Sequence, residues 1–209
     1  MKKLTNAALM LCLLIAGSAR ATNSDADVVV GDAAAGEAAA AVCGSCHGAD
    51  GKALVPNYPN LGGQHASYTA KQITEFREGI RENAVMAGMA AALTDQGILD
   101  IAAYYASLPV VKGIASEENL KAGEDIFRGG VTAVGIPGCM GCHGPNGSGN
   151  PAAGFPALAG QNSAYIIEQL THFRAGTRAN DAGEMMRSIA KRLSDDEIAA
   201  VANYISGLH

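Results

Sequence analysis

The chain has 209 residues, with 15 basic against 20 acidic side chains and a formal net charge of −5. That balance argues against nucleic-acid binding and favours docking onto a basic surface of some partner. Aromatic residues make up only 5%, tryptophan is absent and glycine occurs 26 times, so a small domain made from this chain has few large side chains with which to build a core.

Residues 1–21 read as a signal peptide. Lys2 and Lys3 precede an apolar stretch from Ala7 to Gly17, and Ala19-Arg20-Ala21 is a cleavage pattern that places the mature start at Thr22. The apolar run is short for a membrane span, and a retained anchor with peripheral membrane association is the alternative to cleavage. Cys12 falls inside the removed segment with no lipobox before it. Cleavage leaves 12 basic and 20 acidic side chains, a formal charge of −8, and four cysteines. Export predicts an oxidising compartment, the bacterial periplasm.

A short helix is expected from Ala33 to Val42. Next comes Cys43-Gly44-Ser45-Cys46-His47, and the same spacing recurs as Cys139-Met140-Gly141-Cys142-His143 after a helix expected from Glu117 to Phe127. Cys-x-x-Cys-His is the attachment signature of c-type haem. Cys43, Cys46, Cys139 and Cys142 would form thioethers to two porphyrins, and His47 and His143 would lie under the irons as proximal ligands. A redox disulfide or half a zinc site would explain a single Cys-x-x-Cys. The histidines, the repetition and the export signal favour two haem c groups, and no cysteine is left for a structural bridge. Enclosed haems would also supply the apolar mass that the composition lacks.

Gly/Pro/Asn-rich loops follow each motif, at 48–64 and 144–161, where such residues mark turns. Helices are expected from about Ala66 to Glu78 and from Ser163 to Ala175, followed by Met-containing segments. The last helix of each half begins at Thr94 or Ser194, both good N-caps, and Ser194-Asp195-Asp196-Glu197 has the capping-box pattern. Apolar residues at helical spacing (Ile98, Ile101, Ala102 and Tyr105; Ile198, Val201, Ala202 and Ile205) mark the buried faces. Leu108 to Gly113 is the natural linker. No stretch alternates as a strand would.

These elements form a tandem duplication. Relative to the motifs at offset 96, Pro59-Asn60-Leu61-Gly62-Gly63-Gln64 matches Pro156-Ala157-Leu158-Ala159-Gly160-Gln161 at offset 97. Tyr68 and Gln72 then match Tyr165 and Gln169, and Phe76-Arg77 matches Phe173-Arg174. A three-residue insertion moves the offset to 100, where Leu93-Thr94-Asp95 matches Leu193-Ser194-Asp195. The expectation is an all-α chain of two domains, 22–110 and 111–209.

The same registration addresses the distal ligands. His65 aligns with Asn162 and His172 with Glu75, whereas Met86 and Met186 each stand seven residues before a matched leucine. Met89 and Met185, which align with Ile189 and Val85, are the alternatives. With histidine on one side and methionine on the other, each iron is closed to external ligands, which favours electron carriage over catalysis. A diheme peroxidase, a thiosulfate-oxidising enzyme or a gas sensor would need an open position.

In its motifs and their duplicated order the chain resembles the class I cytochrome c fold, and the pair of domains resembles the cytochrome c4 family over essentially all of residues 31–209. The resemblance implies distal methionines at Met86 and Met186, and backbone carbonyls of Pro59 and Pro156 accepting from the proximal histidines. It also implies haems that face each other across the domain interface. Its functional implication is a periplasmic shuttle from a quinol-oxidising complex or another donor toward a terminal oxidase. The runner-up is a diheme electron-accepting subunit of a periplasmic dehydrogenase such as a flavocytochrome. Arg77 with Arg174, or Arg81 with Arg178, would hold haem propionates or simply line solvated helix faces. Tyr68 and Tyr165 read as packing residues.

Overall fold

The computed structural model describes residues 30–209; the expected signal peptide, residues 1–21, lies outside them. Each half repeats one order of helices. The first has α1 (Ala33–Ala39), α2 (Gly44–His47), α3 (Ala66–Arg77), α4 (Ala84–Ala90) and α5 (Asp95–Ser107). The second has α6 (Leu120–Gly129), α7 (Met140–His143), α8 (Ser163–Ala175), α9 (Met185–Ala190) and α10 (Asp195–Ser206). No strand occurs among the described residues beyond two isolated bridges, Val131 with Ile136 and Asn150 with Phe155. Residues 108–119 join the halves without regular helix.

Local chemistry sets the ends of these helices. The Thr94 hydroxyl accepts from the Gly97 N–H at 3.1 Å. Ser194 completes the expected capping box with Glu197. Asn83 caps α4 by accepting from the Met86 N–H at 2.9 Å. The first helix is shorter than expected: it ends at Ala39 and the chain turns into the Cys43 motif.

In each half the first helix crosses the last. α1 packs on α5, and α6 on α10. A glycine makes each crossing close enough. A Cβ on Gly36 would lie 1.9 Å from the Asp100 carbonyl oxygen, and one on Gly123 would lie 2.1 Å from that of Ala200. The predicted apolar faces are buried here: Ile98, Ile101, Ala102 and Tyr105 in one half, Ile198, Val201, Ala202 and Ile205 in the other. The second half carries the larger continuous core, which includes Phe127, Ile136, Leu170 and Phe173. In the first half the corresponding cluster is Ala40, Ile101 and Tyr105, with Cys43, Leu61, Ile73 and Leu93 against it.

Candidate metal centres

Both Cys-x-x-Cys-His motifs form a single helical turn, α2 or α7, whose last residue is the histidine. One turn puts the two cysteines and the histidine of each motif close together. His47 and His143 are 8% and 7% exposed. Each imidazole Nδ1 lies 3.0 Å from a proline carbonyl, Pro59 for His47 and Pro156 for His143. A carbonyl only accepts, so Nδ1 carries the proton and Nε2 keeps the lone pair. Burial lowers the pKa of both imidazoles, outweighing the carbonyl bonds that raise it, so both rings are held neutral. An aromatic ring leans on each imidazole: Tyr58 at 6.1 Å from His47, Phe155 at 6.0 Å from His143.

The four cysteines are unbridged. Burial pushes the Cys139 thiol up to about 11 and moves Cys43 in the same direction. Met86 lies on α4 and Met186 on α9, both half-buried, with Met186 packed against the core of its half. Their neighbours Met89 and Met185 are 40% and 42% exposed. The residues present therefore suit a covalently held haem. Two free thiols sit beside a neutral imidazole whose Nε2 is available, and a half-buried methionine lies on a later helix of the same half.

The three-residue insertion appears as a 3-10 turn, Ala182–Glu184, immediately before α9. Asp181, just ahead of it, accepts from the Arg187 N–H at 3.0 Å and from Arg187 Nε at 2.7 Å. Burial alone would raise the Asp181 carboxyl. The Arg187 hydrogen bonds outweigh it and hold the group below the usual carboxylate range.

The arginines overturn one sequence-level reading. Arg81 and Arg178 are not on solvated faces; they are 8% and 7% exposed, in the contact between the halves. Arg81 Nη2 donates to Tyr165 Oη at 3.0 Å and to Gln169 Oε1 at 2.7 Å. Arg178 Nη2 donates to Tyr68 Oη at 3.0 Å and to Gln72 Oε1 at 3.1 Å. Each guanidinium also lies over a phenylalanine of its own half, 4.6 Å from Phe76 and 4.4 Å from Phe173. Tyr68 and Tyr165 thus serve as polar partners across the contact as well as packing groups. Arg77 and Arg174 have another task. They donate to the Leu93 and Leu193 carbonyls and pair with Asp95 and Asp195, tying α3 to the start of α5 and α8 to the start of α10.

The glutamines of the matched loops also span the contact. Gln161 accepts from the Asn60 N–H at 2.8 Å and donates to the Asn60 carbonyl at 2.9 Å. Gln64 does the same to Ala157, at 3.0 and 2.9 Å. These glutamine and arginine bonds are paired about a pseudo-two-fold, while the bonds of Asn60, Asn162 and Asn180 across the contact have no counterpart.

The comparisons with known proteins agree with this layout. The cytochrome c family model matches residues 33–109 and again 121–209. Cytochrome c4 of Pseudomonas aeruginosa is 48% identical over 202 residues, covering 96% of each chain. A protein of Stutzerimonas stutzeri named thiosulfate dehydrogenase electron acceptor is 40% identical, covering 81% of this chain and 80% of its own. The crystal structure of reduced recombinant cytochrome c4 from Pseudomonas stutzeri superposes with a TM-score of 0.84 at 46% identity, covering 86% of this chain and all of the other. With two tandem cytochrome c domains and a haem c for each, the chain belongs to the cytochrome c4 family, the diheme electron-transfer cytochromes.

Proposed function

We propose that this protein is a periplasmic shuttle that takes electrons from a quinol-oxidising complex or another donor and passes them toward a terminal oxidase. In this reading the domains are 22–110 and 111–209. Cys43 and Cys46 hold one haem and Cys139 and Cys142 the other, with His47 and Met86, and His143 and Met186, as the axial pairs. Each haem, when bound, supplies a one-electron change. The observation that supports this best is the duplicated environment, with a neutral imidazole fixed by a carbonyl and a half-buried methionine in register in each half. The protein's own task is to hold these groups still. A carbonyl-fixed imidazole and a half-buried thioether, core-packed in the case of Met186, change little between oxidation states, which keeps the reorganisation accompanying transfer small.

The test is a redox-titrated optical spectrum of the holoprotein, with the weak red-end sulfur-to-iron band followed in the ferric state. Two such bands per chain are expected, and Met86→Leu or Met186→Leu removes one of them and admits cyanide. Loss of a band on Met89→Leu or Met185→Leu instead would overturn the ligand assignment.

A second reading has one observation in its favour, the 40% identity to the relative named as an electron acceptor of thiosulfate dehydrogenase. Here the same two haem sites accept electrons from a periplasmic dehydrogenase in a lasting complex. Co-purification of a stoichiometric second chain from the native host would support it; a monodisperse single chain would favour the free shuttle.

A further inference from the structure

The two cross-domain glutamines act on particular peptides. The Asn60 N–H that donates to Gln161 belongs to the same peptide unit as the Pro59 carbonyl that accepts from His47 Nδ1. The Ala157 N–H that donates to Gln64 belongs to the same unit as the Pro156 carbonyl that accepts from His143 Nδ1. Each histidine is therefore joined to the opposite domain by two hydrogen bonds in series through one amide. The glutamine orientation is fixed as well. Gln161 Oε1 also accepts from the Asn162 N–H at 2.9 Å, and Gln64 Oε1 from the His65 N–H at 3.0 Å, so in each case the oxygen faces the peptide N–H.

We infer that Gln161 and Gln64 are positioning residues that tune the haem of the domain opposite their own, Gln161 acting through Pro59-Asn60 on His47 and Gln64 through Pro156-Ala157 on His143. An acceptor on an amide N–H draws electron density toward the amide oxygen. The polarised carbonyl then accepts more strongly from the imidazole Nδ1–H, because hydrogen bonds in a chain reinforce one another. A more strongly donating Nδ1–H makes the ring a more basic ligand and favours the ferric state. Both glutamines are 8% exposed, so little solvent screens the relay. Their second bonds, to the Asn60 and Ala157 carbonyls, hold the peptides in place. The inference rests on His47 and His143 being the proximal ligands, and it goes beyond the carrier function by making each potential depend on the other domain.

The test is a spectroelectrochemical titration of the two haems in wild type and in Gln161→Leu and Gln64→Leu holoproteins. Met186→His identifies the C-terminal component, because a second imidazole in place of a thioether lowers that haem alone; if it lowers neither, the ligand reading fails rather than this one. Gln161→Leu is expected to raise the N-terminal component, with about a threefold change in the reduced-to-oxidised ratio at fixed potential, or about 28 mV at 59 mV per tenfold for one electron. Gln64→Leu is expected to raise the C-terminal component to a similar extent. Gln161→Met and Gln64→Met repeat the test with a flexible side chain of similar length if the leucine variants lose haem. Arg178→Ala loosens the same contact without touching either peptide and must not reproduce the pattern. Crossed shifts, with the His47 or His143 Nδ1–H resonance moving to match in the ferrous state, support the relay. No shift, equal shifts of both components, or a shift of the haem in the substituted domain overturns it.

Discussion

Replacement of Arg178 by alanine tests how firmly the halves are held together. Its guanidinium makes two bonds across the contact, to Tyr68 Oη and Gln72 Oε1, and two within its own half, to Gln169 Oε1 and Asn180 Oδ1 at 3.0 Å each. Gln72 would keep the Arg81 and Asn180 donors, but among the described residues the Tyr68 hydroxyl would lose its only hydrogen bond. Two bonds with a charged donor are worth about 1.5 kcal/mol each at the low end, and stranding a buried hydroxyl costs about 1–3 kcal/mol. Relief of the desolvation of a buried cation offsets part of that. The expected cost is about 3 kcal/mol, or about 6–12 °C in Tm for a chain of this size. Calorimetry of the ferrous holoprotein would measure it. Adding Tyr68→Phe should recover about 1 kcal/mol, because the stranded hydroxyl is then absent. A loss below about 0.5 kcal/mol for the single variant, or no recovery in the double one, would refute a contact held by these groups.

Gly36→Ala and Gly123→Ala each push a methyl group into a backbone carbonyl of the opposing helix, so each should destabilise its own half by about 1–3 kcal/mol or more; urea unfolding read at the haem bands of each half would show it, and an unchanged midpoint would contradict the close crossing. Asp181 has a depressed pKa when folded, so its contribution is present above the ordinary carboxylate pKa and is lost as pH falls through the folded value. Acidification should therefore loosen the segment leading into Met186 at a pH below the usual carboxylate range. Asp181→Asn should weaken it already at neutral pH, by about 1 kcal/mol or more, as seen in faster amide exchange over residues 181–190; exchange that matches wild type at both pH values would count against the clamp.

Much of this architecture could be read from the sequence because it is local. The Thr94 and Ser194 caps, the apolar faces of α5 and α10 and the haem motifs each depend on residues within a few positions of one another. The three-residue change of register marked the place where Ala182–Glu184 forms its turn, with Glu184 in the left-handed region. The contact between the halves was not legible. Arg81 and Arg178 near the ends of polar helical segments read as propionate holders or as part of a solvated face, and their partners across the contact lie 84–110 positions away. Gln64 and Gln161 stood out only as landmarks of the repeat. Their placement on Ala157 and Asn60 depends on how two finished domains meet, which no periodicity encodes. The available signal was that polar residues recurred at both copies of positions where a solvent-facing side chain could vary freely.

The pseudo-two-fold contact has an evolutionary side. A surface that is its own complement needs only one kind of half: the loop that offers a peptide also brings the glutamine that grips the other copy. The glutamine and arginine bonds are of the kind that two identical halves could exchange. Joining two copies in one chain makes that pairing independent of concentration and gives each copy a fixed neighbour. From then on the halves are free to drift apart. The Ala91 and Ala92 of one copy stand opposite Lys191 and Arg192 in the other, and Ile80 opposite Thr177. Gene duplication of this kind turns a symmetric dimer into a chain with two distinguishable ends.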